Sequence, residues 1–132
     1  MRTLNFLNPS RPTQNKIRWT VDVDGAPFHL YIPKWRVPKK IPMGLDVVVD
    51  ENVKNKQISI ETTPLDYPIK VIVQKHSTHT RTIRYRPSGE NPNQWEIGEP
   101  YIPKDILTEP YPEKVYLEVR WDYTEGVWEL NQ

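Results

Sequence analysis

The chain is predicted to be all-β, a single-domain antiparallel sandwich or partly closed barrel built from sequential hairpins. Apolar residues alternate with polar ones along most of its length, a two-residue Asp24-Gly25 turn sorts its flanking strands cleanly, and only one short stretch reads as helical. The 132 residues can bury about two-thirds of their unfolded surface, enough for one core spanning residues 1–132.

Thr3 to Leu7 is a first candidate strand. Lys16 to Pro33 is the clearest hairpin. With Asp24-Gly25 at the centre of a type I′ turn, which needs positive φ at both positions, Val21 faces Phe28, Trp19 faces Leu30 and Ile17 faces Ile32. Thr20 with His29 and Arg18 with Tyr31 take the other face, and a one-residue slip would scramble the sorting.

Leu45, Val47 and Val49 then alternate with acids, and the polar Asp50 to Asn55 stretch is expected to turn the chain into a short strand at Ile58 and Ile60. Ile69, Val71 and Val73 lead through Lys75 to Thr80 into Ile83 and Tyr85, and Gln94 to Ile97 is a further short strand. Proline at the start of Pro103 to Leu107 allows a helical turn, with no strong cap to extend it. Val115, Leu117, Val119, Trp121 and Tyr123 alternate with Lys114, Tyr116, Glu118, Arg120 and Asp122, the pattern of a strand with one wet face. Thr124-Glu125-Gly126 is expected to reverse the chain so that Val127 to Leu130 returns along it, with Trp128 and Leu130 inward. About nine strands result, and their neighbourly order favours an up-and-down arrangement. Most of the fourteen prolines lie outside these strands, where they stiffen connections and discourage edge pairing.

Composition excludes several classes. The absence of cysteine removes disulfides, thiolate catalysis and cysteine-ligated zinc, and suits a reducing cytoplasm. Met1 to Asn15 lacks the apolar core of a signal peptide, and no run approaches a membrane span, so a soluble cytoplasmic protein with no membrane contact is expected. The net charge of +1 conceals segregation: Lys and Arg outnumber acids eight to two in Met1 to Leu45 and five to none in Tyr67 to Gly89, whereas Glu90 to Gln132 has three against ten. Such a pattern joins distant segments, orients an assembly or steers an anionic partner.

The basic residues define the expected working surface. Lys70 shares a face of its hairpin with Arg84 and Arg86, and the expected register sets Lys70 opposite one of the two, a like-charge contact that invites an anion. Trp35, Arg36, Lys39 and Lys40 lie in the linker Pro33 to Pro42, whose prolines favour extended polyproline-like backbone. His76 and His79 sit at the rim, too few for a metal centre with His29 on another hairpin. No cofactor is implied. These nine residues suggest a non-enzymatic module that meets an acidic protein surface, including that of a second copy.

Other classes are thinner. Trp35 among cations resembles the stacking-plus-charge chemistry of single-strand nucleic-acid binders, and the five tryptophans and seven tyrosines would suit a sugar-binding face or a cavity inside a barrel. Ser10, Ser59, Ser77 and Ser88 sit in no nucleophile-elbow context. Among Glu96, Glu99, Asp105, Glu109 and Glu113 a hydrolytic acid and base pair is conceivable, but an acidic surface offers as many candidates.

Two short echoes complete the reading. Ile17-Arg18-Trp19 resembles Val119-Arg120-Trp121, and Tyr31-Ile32-Pro33-Lys34 recurs as Tyr101-Ile102-Pro103-Lys104. Their order differs between the halves of the chain, which argues for coincidence rather than duplication.

Overall fold

Alternation becomes pairing in the expected way at the first hairpin. The computed structural model describes residues 1–59 and 64–129, and in it strands β2 (Lys16–Val23) and β3 (Ala26–Pro33) pair with Ile17 opposite Ile32, Trp19 opposite Leu30 and Val21 opposite Phe28. Asp24 and Gly25 have φ of 49° and 84°, and Asp22 fixes the turn by accepting the Gly25 N–H at 3.0 Å. The other strands are β1 (Arg2–Ser10), β4 (Pro42–Asp50), β5 (Ile69–Thr78), β6 (Thr82–Pro87), β7 (Tyr101–Pro103) and β8 (Lys114–Val127). Single 3₁₀ turns lie at Lys34–Arg36, Pro92–Gln94 and Lys104–Ile106.

The strands form one antiparallel sheet in the order β3-β2-β1-β4-β8-β5-β6-β7. Its ends meet where the Gly98 N–H donates to the Tyr31 carbonyl at 2.8 Å, leaving a nearly closed barrel. A Cβ at Gly98 would lie 3.2 Å from Tyr31 Cβ, so a larger residue at the seam would have to push Tyr31 back by a few tenths of an ångström. Inward side chains fill the barrel: Phe6, Trp19, Phe28, Leu30, Leu45, Ile83 and Tyr85 are all fully buried. Phe6 and Phe28 meet edge to face at 4.9 Å. No helix among the described residues is long and apolar enough to cross a membrane.

Several expectations are corrected. The order is not up-and-down, because β4 returns beside β1 and β8 beside β5, which makes each half a Greek key. Both edges of β4 are taken by β1 and β8, so no hairpin follows Asp50. Ile58 is exposed, Ser59 instead bonds Lys70 beyond the end of β6, and Ile60 falls outside the described residues. Thr124 to Gly126 makes no hairpin either: β8 runs on past an irregularity to pair Val127 with Pro42. Trp128 does pack on the core, while Leu130 lies outside the described residues.

Gln94 to Ile97 is not a strand. Asn91 accepts the Asn93 N–H at 3.0 Å and Pro92 opens a 3₁₀ turn there. The Pro33 to Pro42 linker likewise begins with the Lys34–Arg36 turn rather than extended backbone. The wet face of β8 is covered at Tyr116 and Glu118, where Lys56 lies 5.3 Å above the Tyr116 ring and Arg120 reaches Glu118.

The Tyr-Ile-Pro-Lys echo is not coincidence. β3 and β7 both end in its Tyr-Ile-Pro, and the lysine of each opens a 3₁₀ turn. Lys34 N–H bonds the carbonyl of Asn15 just before β2, and Lys104 N–H bonds that of Arg81 just before β6. Ile17 pairs with Ile32 and Arg18 with Tyr31, just as Ile83 pairs with Ile102 and Arg84 with Tyr101. Trp19 Nε1–H donates to the Pro42 carbonyl at 3.2 Å, and Tyr85 O–H to the Pro112 carbonyl at 2.7 Å. The true mate of Ile17-Arg18-Trp19 is therefore Ile83-Arg84-Tyr85, and order is preserved. β1 to β4 and β5 to β8 are related by a pseudo-twofold axis that passes between β4 and β8 and through the seam of β3 with β7.

A candidate binding groove at the barrel seam

Strand alternation decides what the seam presents outward. With Ile17, Trp19, Leu30 and Ile32 inside, Arg18 and Tyr31 face out, and the same holds for Arg84 and Tyr101 in the second half. Over this surface lies a groove of about 1160 Å³. Its aromatic lining is Tyr31, Trp35, Trp95 and Tyr101, and its cations are Arg11, Lys16, Lys34, Arg84 and Arg86. Glu99 is the one carboxylate lining it among the described residues. A second groove of about 630 Å³ shares Trp35, Asn93 and Trp95 with the first.

Glu99 is already engaged. Arg84 donates to it through Nε at 2.8 Å and Nη2 at 3.1 Å, and Arg86 Nε lies 3.5 Å away. The Arg84 hydrogen bond holds the Glu99 carboxyl below its usual range against the opposing effect of burial. Each arginine also lies over an aromatic ring at 5.8 Å, Arg84 over Tyr101 and Arg86 over Trp95. Trp95 is anchored by its Nε1–H bond to the Gly89 carbonyl, whereas Trp35 is 52% exposed.

Of the nine residues read from the sequence, Trp35, Arg84 and Arg86 line this groove. His79 reaches its edge, with its ring 5.3 Å from Tyr101. Ser77 Oγ sits between the two histidines, 3.4 Å from His76 Nδ1 and 3.3 Å from His79 Nε2. Lys39 and Lys40 are exposed beside the start of β4, where the Lys40 carbonyl accepts from Tyr123. Lys70 is not opposite Arg84 or Arg86. The β5–β6 register instead puts Gln74 opposite Arg86, and Lys70 meets Glu118 across β5–β8.

Arg36 is no surface cation at all. It is 2% exposed, pairs with Glu96, and donates to the carbonyls of Leu65, Tyr67 and Pro68. It ties the loop after β3 to the segment before β5. The charge segregation thus serves partly to join distant segments, with Lys75 to Glu113 a further such pair. Glu99, held low by Arg84, has the opposite of what raises a carboxyl toward general-acid service.

Sequence reasoning did not single out Tyr31, Tyr101, Arg11, Lys16, Lys34 or Glu99 as one surface. The repeated Tyr-Ile-Pro-Lys was the available signal, since it places a tyrosine and a lysine on each side of the axis. The fold and groove define a class, a pseudo-symmetric double Greek-key barrel with a basic, aromatic seam. Comparison with family models, curated proteins and solved structures gives no match for this chain.

Proposed function

We propose that this protein is a non-enzymatic binding module that takes an acidic protein segment into the groove over the barrel seam. The observation that carries the reading is the groove's lining: five cations and four aromatics, with Glu99, the one carboxylate lining it among the described residues, paired with two of those arginines. Cations steer an acidic chain and the aromatic faces supply desolvated contact area. A net charge of only +1 favours an acidic protein over a phosphate backbone, whose binders are strongly basic. A cytoplasmic setting belongs to the proposal and rests on the cysteine-free composition.

Titration of a labelled Glu-rich peptide, with oligo-dT and the protein's own self-association as parallel arms, tests it. The peptide is expected to bind, to perturb tryptophan fluorescence through Trp35, and to dissociate as salt shortens the screening length. Substituting Arg11→Gln with Lys34→Gln weakens it. Preference for oligo-dT, or no binding to either, overturns the reading. Salt-sensitive dimerisation that the peptide blocks would identify the acidic partner as a second copy.

A further inference from the structure

The pseudo-twofold axis places an arginine and a tyrosine on each side of the seam, yet among the described residues only one of the two arginines has a carboxylate. Glu99, two residues before Tyr101, binds Arg84 and approaches Arg86. Two residues before Tyr31 stands His29, whose Nδ1 is 2.9 Å from Thr20 Oγ1. Thr20 and His29 thus occupy the places of Arg86 and Glu99. On this side Arg18 Nε is buried and makes no hydrogen bond among the described residues, nor does the buried Oγ of Ser10, its partner across β1–β2.

A buried guanidinium N–H without an acceptor is costly, and a carboxylate is the acceptor that fits its planar fork. His29 does not supply the charge. An imidazole is neutral or cationic, never an anion. Lys16 and Tyr31 line the groove and stand beside Arg18 on the same outward face, so a segment lying in the groove passes it.

Resting on the function proposed above, we propose that Arg18 receives one carboxylate of the acidic segment, in the position that Glu99 fills for Arg84. The second half of the chain carries its own ligand analogue and the first half has none, so Arg18, beside the groove rather than in its lining, turns its buried Nε outward to meet the partner's.

The test titrates the full chain with the labelled Glu-rich peptide and follows the Arg18 Nε–H resonance by NMR. That resonance should shift on saturation. Arg18→Gln should weaken the peptide about tenfold or more, the scale of one charge-assisted hydrogen bond. His29→Glu should seat a carboxylate on Arg18 from within, raise the melting temperature and weaken the peptide to a similar extent. If both variants bind like the unsubstituted protein while Arg11→Gln with Lys34→Gln binds less, the groove reading stands and the Arg18 assignment falls. If the Arg18 resonance moves with inorganic phosphate or oligo-dT and not with the peptide, the carboxylate assignment falls. If no peptide binding occurs in any form of the protein, both proposals fall together.

Discussion

Single residues separate structural from functional charge here. Arg36 looked in the sequence like one of a row of surface cations, but its burial and its four acceptors make it a brace. Replacing it by Met should cost about 3 kcal/mol or more, because Glu96 and three carbonyls lose a buried partner, while Lys39→Ala should change urea stability by less than about 0.5 kcal/mol. Titration gives a second expectation. Asp50 is held down first by its hydrogen bond from Lys56, Glu99 by that from Arg84, and Asp122 by that from Thr124. For Glu118 burial opposes ionisation, but the hydrogen bonds from Tyr116 and Arg120 outweigh it. Carboxyl groups depressed in this way stabilise the fold above the unfolded value of about 4 and lose that contribution as pH falls through their lower folded values. His29 acts earlier: its folded pKa lies below the unfolded value of about 6.5, so the unfolded chain takes up the proton first and stability falls as pH drops through that range. Urea midpoints should therefore decline from pH 7 to 5 and again below 4, and His29→Gln should flatten only the upper step.

At the scale of elements, the most legible part was the β2–β3 hairpin, because a two-residue turn with positive φ at both centres leaves one register open and the alternation confirms it. The least legible were connections whose register depends on a partner far away in sequence. Glu118 could not announce that Lys70 would lie opposite it, and Thr124 to Gly126 looked like a turn because the pairing of Val127 with Pro42 is a long-range event. The equivalence of the halves is testable at this level. Trp19 and Tyr85 each use one polar atom to hold a proline carbonyl at the entry to a central strand, at Pro42 and Pro112. Trp19→Phe should lose more than Tyr85→Phe, since it also removes buried volume, but the hydrogen-bond part of each loss should be about 0.5–1.5 kcal/mol, read from urea unfolding. If either substitution leaves its proline carbonyl without consequence for stability, the two bonds are not equivalent struts.

For the whole molecule, the two Greek keys are held by the long β4–β8 pairing and by the seam, both of which lie between halves rather than within one. A single cut after Asn55, in the segment that joins them, should leave both pieces associated on a sizing column and unfolding in one transition. Separation of the pieces in buffer would mean that the connection, not the interface, maintains the barrel. The groove shares this origin. It exists only because the axis brings Tyr31 and Tyr101 to opposite sides of one closure, so no local window of sequence contains it.

By itself the sequence determined the all-β class, the first hairpin to the residue, the inward set of most strands and the outward, basic face of Arg84 and Arg86, since each follows from period-two alternation and turn chemistry acting over a few residues. Tertiary structure alone decided the strand order, the burial of Arg36, the partner of Lys70 and the meaning of the repeated Tyr-Ile-Pro-Lys. Those depend on which edges close against each other. Closure is settled by the burial of the whole core, and no short stretch of alternating residues specifies it.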